Sequence, residues 1–240
     1  MTLPFTIQVP VFDETRALEF SCFYFERLGV EARYILDSQR TPQAEATLRG
    51  LGRGPLVFAN DKPFLENAYQ NFAAASPTDR ILRLDCDEAP SQNLVEACRE
   101  IVLRDGGEMA GFERHQLIWR HGEFLSAQGE RFRPSNQVQW RLFNRRAVRF
   151  YDGRLHTPGL FVDKPVKVPA DAPIYHLEWV FLDRQARLDK TSRYDGFGQD
   201  AYWRENQLHA EHALAWRRND DDFLRATFAD WIAGGGKPAA

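Results

Sequence analysis

Cysteine, lysine and long apolar runs are all scarce in this chain, and each scarcity excludes something. Three cysteines in 240 residues, Cys22, Cys86 and Cys98, make neither a disulfide framework nor a zinc cluster, and favour a reducing compartment. No apolar run approaches the roughly 18 residues of a membrane span. The first apolar segment starts too near Met1 to leave room for a signal peptide. The expectation is a cytoplasmic protein with no transmembrane segment. A surplus of one charge is missing too, since 31 basic residues face 34 acidic ones. That balance argues against broad electrostatic binding to nucleic acid. Only Lys62, Lys164, Lys167, Lys190 and Lys237 are lysines; the other basic residues are arginines, whose planar forks suit phosphate and carboxylate. A local anion site therefore stays open. No G-x-G-x-x-G or Walker A loop occurs, and Arg53 between Gly52 and Gly54 reads as a turn. With 43% hydrophobic residues, the chain has the apolar content of a folded globular domain.

What is present is a regular alternation in the first hundred residues. Ile7, Val9 and Val11 alternate as in a strand, with Pro10 near its end. Asp13-Glu14-Thr15 then opens a helix whose Ala17, Leu18, Cys22 and Phe25 share a face. Strands are predicted again at 30–36, 55–59 and 80–84, and helices from Thr41-Pro42, over 63–75 and over 91–104. Four strand–helix alternations predict an α/β domain with a mainly parallel central sheet covered by helices. The second half is more irregular, with short strands rich in Phe, Trp and Arg over 107–179 and C-terminal helices from Arg184 to about Ile232. Its dense aromatics, Trp119 and Phe124 among them, read mostly as core filling. The expected organisation is one domain over 1–232, with a nucleotide- and metal-binding half (1–106), an acceptor half (107–232) and a flexible tail (233–240).

Right-handed crossovers bring the C-terminal ends of such strands to one edge, where ligands usually bind. The residues expected there are Phe12-Asp13-Glu14, Asp37-Ser38 and Asp85-Cys86-Asp87-Glu88. Two carboxylates one residue apart at a strand end can reach one hard divalent cation, directly or through water. The plainer alternative is a helix N-cap cluster at the positive end of the next helix.

Four segments resemble the nucleotide-sugar glycosyltransferases of the GT-A fold, in particular the family-2-like group and its bacterial lipopolysaccharide-type branch. They are Val9-Pro10-Val11-Phe12-Asp13-Glu14; Ile35-Leu36-Asp37-Ser38; Asn71 to Ala75 with Asp79 to Glu88; and Trp140 to Arg145 with Gly153-Arg154-Leu155-His156 and Ile174-Tyr175-His176. The resemblance implies a metal-dependent transfer of a sugar from a nucleoside-diphosphate-sugar donor, a UDP-sugar first, to a glycan, lipid-linked or small-molecule acceptor. Phe12, Glu14, Asp37, Cys86 and Arg141 would then contact the donor. Asp85 and Asp87 would hold Mn²⁺ or Mg²⁺, with His176 as a third ligand. The residue after His156, where the branch commonly carries glutamate, is Thr157. That leaves Glu113 and Glu178 as candidates for a catalytic base. Arg184, Arg187, Lys190 and Arg193 recur at helical spacing and read mainly as a solvated face. Two other readings remain beside this one: a sugar-1-phosphate nucleotidyltransferase, and a non-catalytic domain binding nucleotide or glycan.

Overall fold

A computed structural model describes residues 3–11, 15–37, 42–58, 68–129, 132–133, 137–151, 159–168, 170–195 and 215–239. The first half builds the expected alternation. β1 (Thr6–Val11), β2 (Ala32–Asp37), β3 (Leu56–Phe58) and β4 (Arg80–Arg83) are strands, with α1 (Thr15–Leu28), α2 (Pro42–Gly50) and α3 (Tyr69–Ala74) between them. β5 (Glu88–Pro90) precedes α4 (Gln92–Leu103), which Ser91 caps by accepting the Leu94 N–H at 3.1 Å. The second half adds β6 (Met109–Phe112), β7 (Arg114–Arg120), β8 (Glu123–Gln128), β9 (Gln139–Asn144), β10 (Arg149–Phe150), β11 (Leu160–Phe161), β12 (Pro165–Lys167) and β13 (Ile174–His176). α5 (Glu178–Phe181), α6 (Arg184–Asp195), β14 (Ala215–Arg218) and α7 (Asp222–Ala233) follow.

Seven strands form the central sheet in the order β12-β6-β9-β4-β1-β2-β3. Only β9 runs against the rest. The predicted mainly parallel sheet in a single α/β domain is therefore correct. A second sheet, β14-β8-β7-β13-β5, packs beside it. β14 corrects the expectation of helix throughout the C-terminal region: Ala215–Arg218 pair antiparallel with Leu125–Gln128 of β8, so edge pairing prevails over helical spacing.

α1 buries Ala17, Leu18, Phe20, Cys22, Tyr24 and Phe25, as its spacing requires. Phe20 meets Phe181, Phe228 and Trp231 at ring separations of 5.2–5.6 Å, which ties α1 to α5 and α7. Each such apolar side chain contributes about 1.5–3 kcal/mol through burial. After α7 the Ala239 N–H donates to the Val180 carbonyl at 2.8 Å. None of the described residues forms a helix long and apolar enough to cross a membrane.

The sheet order carries one consequence for ligands. β1, β2 and β3 proceed to one side, and β4 returns to the other side of β1, so the direction of travel reverses between β1 and β4. Such a reversal opens a crevice at the carboxyl ends of the two strands. Pro10 marks where the crevice begins. On the β4 side the Gln8 carbonyl accepts the Leu84 N–H at 3.0 Å, and two residues further on Pro10 has no N–H to continue the pairing.

Candidate functional site

The turn after β4 carries Asp85-Cys86-Asp87-Glu88 into this crevice. It is locked twice: the Glu88 N–H donates to the Asp85 carbonyl at 2.9 Å, and the Asp85 N–H donates to Glu88 Oε2 at 3.0 Å. Cys86 is buried in the main core at 4% exposure.

The two aspartates then part company. Asp85 Oδ2 accepts a hydrogen bond from Arg141 Nη2 at 2.6 Å, while its side chain stays 40% exposed. The same Nη2 donates to Glu88 Oε1, also at 2.6 Å, and Arg114 Nη1 lies 3.7 Å from that oxygen. A β-bulge delivers Arg141. Ala110 of β6 faces Leu142 but Gly111 faces Trp140, so Arg141 is the extra residue of β9. Gly111 makes the bulge sterically possible, because a Cβ there would sit 2.7 Å from the Trp140 ring.

Asp87 turns to His176, with Oδ2 3.4 Å from Nε2. Strand register sets this meeting. His176 lies opposite Glu88 of β5 on one side and opposite Gln116 of β7 on the other. Its Nδ1 donates to Gln116 Oε1 at 2.6 Å, and the Gln116 amide is oriented by donating its own Nε2–H to Gln137 at 3.2 Å. The ring is thereby fixed with its Nε2 edge toward Asp87.

Charge is balanced around these groups. Burial alone would raise the Asp85 carboxyl, but Arg141 and then Arg83 hold it below the usual carboxylate range. Burial likewise opposes ionisation of Asp87; His176, Lys190 and Arg114 hold its carboxyl well below that range. Glu178 is buried, bonded to Lys190 Nζ at 2.6 Å, and ionised for the same reason. Lys190 and Arg187 are thus mostly buried rather than part of a solvated face. Arg141 is raised further above its ordinary value by Asp85 and Glu88, despite its burial.

The remaining predicted site residues fall elsewhere. Glu113 faces Lys167 of β12 at 3.7 Å, and among the described residues no ion pair joins it to the acidic turn. Asp37 ends β2 opposite Phe58. Phe12, Glu14, His156, Thr157 and the Arg193 side chain lie outside the described residues. The structure adds Glu88, Arg114 and Gln116. An arginine inside the apolar strand Trp140-Arg141-Leu142-Phe143 signals a buried acidic partner, but nothing local in the sequence identifies which one.

No family model and no curated protein matches the chain. Several solved structures are similar to it in part. A mycobacterial protein is 16% identical, with 82% of this chain and 76% of that one covered and a TM-score of 0.47. HddC from Yersinia pseudotuberculosis is 11% identical, with 72% and 93% covered and a TM-score of 0.44. The inositol-1-phosphate CTP transferase from T. maritima is 12% identical, with 58% and 67% covered and a TM-score of 0.34.

These findings correct the glycosyltransferase reading. The similar structures include a CMP:2-keto-3-deoxy-manno-octonic acid synthetase complexed with CTP, this CTP transferase and a nucleotidyl transferase from Methanothermobacter, in place of the expected family-2-like glycosyltransferases. The expected enzyme class and its UDP-sugar donor fall with that family. The residues expected to hold the metal are divided among different partners. Asp85 is held by Arg141 while Asp87 faces His176, and among the described residues no group of three or more His, Cys, Asp or Glu is placed to hold a metal. A D-x-D spacing puts two carboxylates on one turn; it does not make them converge.

Proposed function

We propose that the chain is a nucleotidyltransferase-type enzyme. It binds a nucleoside triphosphate in the β1–β4 crevice and passes the nucleotidyl group to an anionic oxygen of a small acceptor, a sugar phosphate being the fitting class. The observation that carries this reading is the Asp87–His176 pair at the point where strand direction reverses. A carboxylate oxygen and an imidazole nitrogen 3.4 Å apart have the spacing of two ligands of one divalent cation, which would take the place of the imidazole proton. Mg²⁺ commonly takes only one or two carboxylates and completes its shell with water and substrate phosphates, so a third protein ligand is not required. When bound, such a cation neutralises charge building on the phosphates.

The chain's own residues supply the rest. The loop after β1 reads Asp13-Glu14-Thr15-Arg16, not a Gly-rich basic loop, so the cations opposite the phosphates must come from elsewhere. Arg83 at the end of β4 and Arg114 on β7 are candidates, both acting electrostatically on the acidic turn. An acceptor phosphate oxygen attacks the α-phosphorus, the bond to the β-phosphate breaks, and pyrophosphate leaves with the electron pair. The attacking oxygen is already ionised at neutral pH, so this chemistry needs no general base. That removes the reason for casting Glu113 or Glu178 in such a role. In this reading residues 1–106 carry the nucleotide and residues 107–232 the acceptor, with Arg141 and His176 reaching back across the boundary.

The test is pyrophosphate release from CTP, UTP, ATP and GTP with Mg²⁺ and a panel of sugar phosphates. Acceptor-dependent release with one nucleotide is expected, and is lost in Asp87→Asn. Absence of release with every combination would overturn the reading. The internal pairing of Asp85 and Glu88 with Arg141 favours one second reading, a domain that binds nucleotide without turnover. Binding without pyrophosphate release would select it.

A further inference from the structure

A small cavity opens at the carboxyl ends of β1 and β4, between the sheet and α3. Its wall combines Gln8 and Pro10 of β1, Arg83 of β4, and Tyr69 and Phe72 of α3. It coincides with the point where strand direction reverses, where open α/β sheets take their ligands. Strand alternation brings an arginine here. Leu82 and Leu84 go to the main core, so Arg83 shares the opposite face with Ile81. The Arg83 Cζ lies 4.2 Å from the centre of the Tyr69 ring. Tyr69 is itself held: it is buried and packed on Phe72, whose carbonyl accepts the Gln8 side-chain amide at 2.8 Å. The charge of Arg83 is therefore held at one place in the crevice wall. The other arginines nearby have different duties. Arg141 donates to Asp85 and Glu88, and Arg114 is drawn to Glu88.

We propose that Arg83 takes a phosphate group of the bound nucleotide directly, without a metal ion, and that Tyr69 is the positioning residue that holds its guanidinium for this. The inference rests on the nucleotide-binding reading of the β1–β4 crevice, but not on the Asp87–His176 cation. Arginine presents its N–H groups in one plane, as a fork that matches two oxygens of one phosphate. An aromatic ring supports the face of that fork without consuming its donors. The loop after β1 has no Gly-rich basic sequence, so a cation fixed on β4 fills a need that the chain otherwise leaves open. A tyrosine that served packing alone would alter stability when replaced, not anion affinity. A positioning tyrosine alters anion affinity, and phenylalanine, which keeps the ring, restores it.

Inorganic tripolyphosphate in EDTA is the probe, titrated calorimetrically into the full, nucleotide-free chain. Saturable binding is expected, weakened at least about tenfold in Arg83→Gln and only partly recovered in Arg83→Lys, which keeps the charge but not the fork. Tyr69→Phe stays within about twofold of the unaltered chain, while Tyr69→Leu with native circular dichroism binds about threefold or more weakly. Arg104→Gln, at an exposed arginine just after α4, leaves the affinity unchanged. Absence of saturable binding, or equal affinity in a folded Arg83→Gln protein, overturns the proposal. An equal loss in Arg104→Gln also overturns it, since the attraction is then one of diffuse surface charge. If Arg83→Gln does not fold, the two Tyr69 variants decide, and equal affinities in them overturn the proposal. Failure of the enzyme reading would appear separately, as absence of pyrophosphate release, and leaves the tripolyphosphate results standing.

Discussion

The acidic turn after β4 and the cations that meet it come from two halves of the chain that obey different rules. In the first half each element follows from its own residues. Ile7, Val9 and Val11 sit in a buried strand, Thr15 starts a helix with one apolar face, and Ser91 caps another. In the second half the decisive features are relations between distant strands. His176 meets Asp87 because β13 is in register with β5, and Arg141 meets Asp85 because β9 bulges against β6. Local pattern builds the rim, and register chooses what faces it.

That contrast can be broken in order of expected effect. The largest loss is expected from Glu88→Gln, at the buried acid where both arginines converge. Leaving buried Arg141 and partly buried Arg114 with less than their counter-charge should cost about 3–5 kcal/mol, read as a lower urea midpoint. A smaller change tests the bulge itself. Gly111→Ala puts a Cβ within 2.7 Å of the Trp140 ring and of Val138, so one strand must give way. A loss of about 1–3 kcal/mol is expected, together with a weaker response to Mg²⁺–nucleotide as Arg141 shifts. A mild effect at this position would mean that the bulge is not held by close packing.

A pH effect comes next. His115 stands beside the Tyr175 ring of β13, with Glu113 and Arg217 acting on it, and burial lowers its imidazole below the ordinary value. The unfolded chain then binds the proton more readily than the folded one. Stability is full above the ordinary imidazole range near pH 6.5 and is lost as pH falls below it, by at most about 1.4 kcal/mol per pH unit. His115→Gln should flatten this slope in thermal melts between about pH 7 and 5.5; an unchanged slope would assign it to other groups. The smallest effect belongs to the Arg27–Asp230 pair that joins α1 to α7, half exposed on both sides. Arg27→Ala should cost no more than about 1 kcal/mol, and less in high salt.

The same contrast explains what the sequence disclosed. The parallel sheet, the rim and the acidic turn were legible because alternation, helical spacing and caps are short-range signals. The fate of Asp85 was not, since it depends on an arginine 56 positions away that only a bulge aims correctly. Gly111 within an apolar strand was the one hint of that bulge. β14 was missed because Ala215–Arg218 has no strand signal of its own and takes its conformation from β8. The glycosyltransferase resemblance failed for a related reason. It rested on short segments around strands and their ends, which a shared α/β architecture can supply without a shared reaction.

One measurement bears most directly on the central claim that the β1–β4 crevice binds a nucleoside triphosphate through a cation held at Asp87 and His176. It is calorimetric titration of Mg²⁺–CTP, Mg²⁺–UTP, Mg²⁺–ATP and Mg²⁺–GTP into the unaltered chain and into Asp87→Asn. Saturable binding of at least one nucleotide, weakened about tenfold or more in Asp87→Asn, is the expected result. Absence of binding by all four, or equal affinity in the two proteins, would contradict it.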